Sequence, residues 1–353
     1  MEEPLPDRDN NRPRPFLMIP LRRCGSHALR LRLNINPRFY APYPLHLVDF
    51  MPTVDRYYRD LTDDAVYFQL IRDVLGLQDA LMVRWENVAF DPTDIFEAIK
   101  DEPRSIHRIA WELLLQAGEQ RKASIVLDKS LDNVQYADEL FALFPNIGFL
   151  NVVRDPRAQV SSMNRSIIHE FDTYLNARQW VRAMELGRQV MEKYPNQTLT
   201  VRFEDFLTNQ REVLQNICNF MGIEFMAEML EISQSREALK MSGLSSLWES
   251  NSSPPILMNS EKYRKNLTME EIEIIETLAR DHMDFFGYQR MTEAKANITR
   301  EMESAAMEND RKNRQDAWRE LKLSKPRDYI LRRYRIDTIT MIEERLKSRP
   351  WRP

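Results

Sequence analysis

PLRRCGSHALRLRL, residues Pro20 to Leu33, decides how the chain is read. It follows the apolar run Phe16-Leu17-Met18-Ile19 and holds Gly25, one of only 8 glycines in 353 residues. After Gly25, apolar residues return at helical spacing through Ala28, Leu29 and Leu33. The pattern predicts a strand that passes through a Gly-Ser turn into a helix. The first N–H groups of such a helix lack intrahelical partners and its dipole favours negative charge, so the turn suits a phosphate-like anion. Arg22 and Arg23 stand just before the turn and strengthen that expectation. Taken alone, the same residues equally describe a strand-to-helix turn on a basic surface.

Working outward, three more β-prone runs occur: Ala123–Leu127, Gly148–Val153 and Leu199–Phe203. Each is short and nearly continuous in apolar character, as expected of strands buried on both faces. Helical patterns lie between them, at Ser105–Gln116, Ala137–Phe144 and Asp205–Met221. Strands alternating with helices predict an α/β fold, a P-loop-like parallel sheet flanked by helices, with a helical C-terminal extension. Ligands of such sheets sit beyond the carboxyl ends of the strands, where the Arg23 turn falls. The chain divides into a flexible, proline-rich tail over residues 1–15, an α/β domain over 16–290, and a charged extension over 291–353.

With 43% hydrophobic and 10% aromatic residues the chain can bury a full core. A net charge of −4 argues against general nucleic-acid binding, so any basic patch is local. The two cysteines, Cys24 and Cys218, are too few for a disulfide framework or a cysteine-rich metal site. No apolar run is long enough to span a bilayer and the polar start is no signal peptide, so the expected setting is the cytoplasm.

The turn lacks the G-x-x-x-x-G-K-[ST] pattern of nucleoside-triphosphate loops, which leaves a shorter anion cradle with an arginine at its entrance. A second constellation follows the run Gly148–Val153, in Arg154-Asp155-Pro156-Arg157 and on to Ser162. Pro156 suits the first turn of a helix and Asp155 its cap. Arg154 at the strand end and Ser162 two turns along can grip a second phosphate through a charged fork and a hydroxyl.

Together these segments resemble the sulfotransferase family. Arg23-Cys24-Gly25-Ser26-His27-Ala28-Leu29 is similar to that family's 5′-phosphosulfate loop, and FLNVVRDPRAQVSS to its 3′-phosphate segment. IVLDKSLDN, TVRFEDFLTNQREVLQNICNFMGI and EKYRKNLTMEEIEIIETLARDHMDFFGY resemble three further family blocks, in the family's order. The resemblance spans residues 16 to 290. His27 stands where threonine is commoner and Leu131 where proline is commoner. Tyr263-Arg264-Lys265-Asn266 replaces the Arg-Lys-Gly triplet of the small-phenol subgroup. These departures are similar to the divergent carbohydrate, protein or bacterial-type members.

The resemblance implies transfer of a sulfuryl group from 3′-phosphoadenosine 5′-phosphosulfate (PAPS) to a hydroxyl or amine, with no metal. It implies that Arg23 holds the 5′-phosphate and bridging oxygen, with donors from Cys24, Gly25, Ser26, His27 and Ala28. Arg154 and Ser162 would hold the 3′-phosphate, Lys129 would lie near the transferring group, and Tyr263 and Arg264 would close over the adenosine. Among the five histidines, His46 is the expected general base, at the end of a short strand after the first helix and near its free pKa. Asp49 is the fallback, and a packed structural histidine is the plain alternative. Cys24, beside arginines at a helix start, is expected to have a lowered pKa and to be open to alkylation. The acceptor, a small molecule or a carbohydrate, is left open, as is the oligomeric state. Two other readings stay open: a nucleotide-dependent phosphoryl transferase, and a non-catalytic protein that keeps the fold.

Overall fold

A computed structural model describes residues 12–231, 237, 243–245 and 261–348. The tail expected over residues 1–15 therefore lies, up to residue 11, outside the described residues. Five strands form one parallel sheet: β1 (Arg14–Ile19), β2 (Phe39–Tyr40), β3 (Ile125–Asp128), β4 (Gly148–Val153) and β5 (Thr198–Arg202), in the order β2-β3-β1-β4-β5. Of the residues read as tail, Arg14 and Pro15 belong to β1 and Arg12 is ion-paired to Glu112 at 2.9 Å.

Strand periodicity explains the two-sided core. Leu17 and Ile19 face one side with Val126 and Phe149, while Phe16 and Met18 face the other with Leu127 and Leu150, all buried. A strand covered on both faces loses the apolar-polar alternation, which is why these runs read as continuous. The edge strand β5 is the exception, with only Val201 buried.

Helices α1 (Ser26–Leu33), α2 (Met51–Val54), α3 (Asp64–Asp79), α4 (Pro92–Ile99), α5 (Ile106–Gln120), α6 (Ala137–Leu143) and α7 (Pro156–Met163) lie between successive strands, with α2 to α5 all between β2 and β3. α8 (Thr173–Lys193), α9 (Phe203–Thr208) and α10 (Gln210–Met221) follow, then α11 (Tyr263–Asn266) and α12 (Met269–Phe285). The single helix read over Asp205–Met221 is two, broken at Asn209, whose backbone leaves the helical region at φ −130°, ψ 55°. Phe206, Leu214 and Ile217 still enter one core cluster, so apolar spacing alone does not show the break. The charged extension forms two long helices, α13 (Arg300–Ser324) and α14 (Pro326–Ser348). α13 packs along α8 and α14 along α3. No helix among the described residues is long and apolar enough to cross a membrane.

Candidate active site

The parallel register brings together the segments that the sequence marks as candidate anion sites. Leu17 pairs with Asp128 and Ile19 with Asn151, so the carboxyl ends of β3, β1 and β4 lie side by side. The loops that leave them carry Lys129, Arg22–Gly25 and Arg154 respectively. Arg23 Nε donates to Ser162 Oγ at 3.1 Å, and Arg154 Nη1 donates to the Arg23 carbonyl at 2.8 Å. Two segments more than a hundred residues apart thus form one cationic corner. Asp155 caps α7 by accepting from the Arg157 N–H at 2.9 Å, with Pro156 in the first turn, as the sequence predicts.

The loop has an unusual backbone. Gly25 sits in the left-handed region at φ 92°, and Arg23 does so too at φ 72°. A Cβ on Gly25 would lie 2.0 Å from the Phe203 ring, so the first turn of α1 needs glycine on both counts. Ala28 and Leu29 donate to the Gly25 carbonyl, which leaves the N–H groups of Ser26 and His27 ahead of the helical ladder.

Burial weakens the hold of the cations in this corner on their protons. Burial, and then the charge of Arg30, pull Lys129 down to about 7. Burial and the neighbouring Arg154 pull Arg23 down to about 10. Burial lowers Arg154 as well, and its Nε is buried with no hydrogen-bond partner while its guanidinium lies 5.2 Å over Phe203. Desolvated positive charge of this kind is relieved by an anion. Those observations fit a phosphorylated or sulfated group at the turn.

His46 departs from expectation. It lies six residues beyond β2 rather than at a strand end, in a left-handed conformation at φ 51° that starts a short 3₁₀ turn. The Ser130 hydroxyl accepts from its N–H at 3.4 Å and Arg335 Nη2 donates to its carbonyl at 3.3 Å. Its ring meets Tyr43 edge-on at 5.9 Å, and Tyr43 in turn stacks with His27 at 6.3 Å. Nor does it titrate near the free value. Burial first, and then the charges of Arg22, Lys129, Arg335 and Arg332, hold its pKa well below the usual range. The imidazole is therefore neutral at physiological pH, with Nδ1 buried and unpartnered. Asp49 is exposed at the same rim.

Arg23, Ser26, His27, His46 and Lys129 line one cavity of about 460 Å³. Tyr263 and Arg264 do not. Tyr263 is buried with its ring under Arg157 of α7, its hydroxyl 3.4 Å from Met291 Sδ, and Arg264 is exposed beside Glu261. Helices α14 and α13 also line the cavity, through residues that no sequence motif marks as a site, including Arg335, Ile336, Ile339 and Trp318. Their only sequence signal is the apolar-basic stretch Tyr329–Tyr334, which marks a helix that docks without showing where.

A model of the sulfotransferase family matches residues 15–227. The chain belongs to the sulfotransferase family. Among solved structures it is similar to the sulfotransferase domain of a Synechococcus olefin synthase, at 25% identity and a TM-score of 0.47, covering 78% of this chain and 97% of that one. It is also similar to the sulfotransferase domain of the curacin biosynthetic pathway, at 16% identity and a TM-score of 0.49, covering 79% and 99%. A third similar structure is a sulfotransferase of Mycobacterium avium, at 14% identity and a TM-score of 0.42, covering 79% and 78%.

Within this sulfotransferase, Cys24 is not the reactive thiol that its neighbours suggest. Its side chain is fully buried in the core cluster with Phe16 and Leu127, and burial pushes its pKa up to about 11, beyond what the nearby cations offset. Cys218 is likewise buried and pushed up to about 11. Iodoacetamide is expected to leave anion binding and activity unchanged. Loss of binding in step with alkylation would show that the loop opens.

Proposed function

We propose that the protein transfers a sulfuryl group from PAPS to a hydroxyl or amine acceptor. The observation that carries this reading is the convergence of Arg23, Lys129 and Arg154 beyond three adjacent strands, beside a neutral histidine. The donor would supply an activated sulfuryl group at its 5′ end and a 3′-phosphate as a handle. Arg154 and Ser162 would grip the handle, while Arg23 and the first N–H groups of α1 hold the 5′ end. His46 would accept the acceptor's proton as the acceptor oxygen or nitrogen forms its bond to sulfur and the bridging S–O bond breaks. Arg23 and Lys129 would stabilise the charge left on the bisphosphate. Two free, buried cysteines suit a reducing, cytoplasmic setting.

Calorimetric titration with adenosine 3′,5′-bisphosphate, AMP and ATP tests the proposal. The bisphosphate is expected to bind more tightly than AMP by about 2 kcal/mol, or roughly thirtyfold. ATP binding as well as the bisphosphate would overturn it in favour of phosphoryl transfer. No binding of any of the three would favour a non-catalytic role.

Lys129 makes this binding dependent on pH. A bound phosphate favours the protonated amine, but free Lys129 loses its proton as pH rises through about 7. The phosphates are already close to fully ionised there, with a second pKa near 6. Bisphosphate affinity is therefore expected to fall with rising pH, towards about tenfold per unit between pH 7 and 9, with proton uptake on binding. Titrations of Lys129→Met should lose that slope. An equal slope in both proteins would place the titrating group elsewhere.

A further inference from the structure

We propose that the acceptor is an alcohol or phenol carried on an apolar body, and that α14 is the wall that selects it. This inference rests on the sulfotransfer reading and names the substrate class of the same site. The cavity is lined by two unlike groups of side chains. One group is polar and includes Arg23, His46 and Lys129; the other is apolar and comprises Leu81, Met82, Ile167 and Ile168 with Ile336 and Ile339 of α14. A volume of about 460 Å³ falls in the range of small-molecule sites, roughly 300–1,000 Å³.

The α14 residues at the cavity are Arg332, Arg335, Ile336, Ile339, Thr340 and Glu343. Their spacing of three and four places them on one helical face. The charged members of that face are engaged with other protein groups. Arg332 Nε donates to Asp328 at 2.8 Å, Arg335 donates to the carbonyls of Leu45, His46 and Leu77, and Glu343 pairs with Lys347 at 2.5 Å. Ile336 and Ile339 remain as the apolar contact surface, and Ile336 is 38% exposed. A sugar set against these side chains would bring a ring of hydroxyls to isoleucine, leucine and methionine. Each hydroxyl that lost water without gaining a partner would oppose binding. An apolar body has no such cost.

The wall is fixed rather than incidental. Ser245 Oγ donates to the buried Asp328 at 2.5 Å near the start of α14. Near its end Arg345 pairs with Asp73 of α3, which also accepts from Tyr58 at 2.6 Å, and Ile342 is buried between. Arg335 ties the same helix to the backbone of His46, so the selecting wall and the base share one support.

The test uses the full chain saturated with adenosine 3′,5′-bisphosphate, titrated with β-naphthol and with maltose, followed by turnover with PAPS and mass detection of sulfated product. β-Naphthol is expected to bind and to be sulfated, and maltose to do neither. Ile339→Asp is expected to raise the KM for β-naphthol about tenfold or more, without weakening bisphosphate binding. Ile339→Leu should keep the original KM, which separates loss of the apolar wall from misfolding. Failure of β-naphthol to bind the bisphosphate-loaded protein, preference for maltose, or an unchanged KM in Ile339→Asp would overturn the inference. If the unsubstituted protein does not bind the bisphosphate at all, it is the sulfotransfer reading that fails.

Discussion

Gly25→Ala is expected to lose bisphosphate binding by about a hundredfold or more and to destabilise the fold by about 3 kcal/mol or more. Two costs act together. The residue sits at φ 92°, in the left-handed region, where an L side chain costs roughly 1–2 kcal/mol. The new methyl would also meet three carbons of the Phe203 ring at 2.0, 2.2 and 2.7 Å. That ring has little room to yield, because the Arg154 guanidinium covers it and Phe206 packs at 5.9 Å. Any shift of the ring therefore displaces the arginine assigned to the 3′-phosphate. Thermal unfolding and the bisphosphate titration measure the two effects separately. In the double variant Gly25→Ala with Phe203→Ala the clash is gone and the backbone strain stays, so stability should recover in part. A single variant that melts with the parent and binds normally would show that the loop does not hold the anion in this conformation.

Arg154→Ala is expected to reduce bisphosphate affinity about tenfold to thirtyfold, to near that of AMP, while changing AMP affinity far less, because a charge-assisted fork to phosphate contributes about 1.5–3 kcal/mol. The contrast between the two ligands is the informative readout. Arg154 also supports the loop by donating to the Arg23 carbonyl. If that support were its whole role, both ligands would weaken equally. Arg154→Lys should fall between, since an ammonium keeps the charge without the planar fork.

Parts of this site are legible in the amino-acid sequence alone because their signals are local. The turn at Gly25 is a backbone requirement, the Asp155-Pro156 pair is a helix start, and Phe16–Ile19 reads as a doubly buried strand from four consecutive apolar residues. The break at Asn209 is not legible, since both helices turn their apolar residues to the same core. The expectation for Cys24 fails for a related reason. Its charged neighbours are visible in sequence, but its complete burial is not, and burial outweighs them.

The sequence by itself determined four of the five described strands, the turn at Gly25, the helix start at Asp155-Pro156 and the family they resemble, because capping, backbone sign and apolar runs are written within a few residues. Tertiary structure decided which loops meet, through the parallel register that sets Lys129, Arg23 and Arg154 beyond neighbouring strands. It also decided that His46 is neutral, through desolvation and the charges gathered around it. And it placed a C-terminal helix against the cavity, where Arg335 reaches a backbone carbonyl 289 residues earlier in the chain. Contacts at that separation follow from packing the whole fold, and no local pattern encodes them.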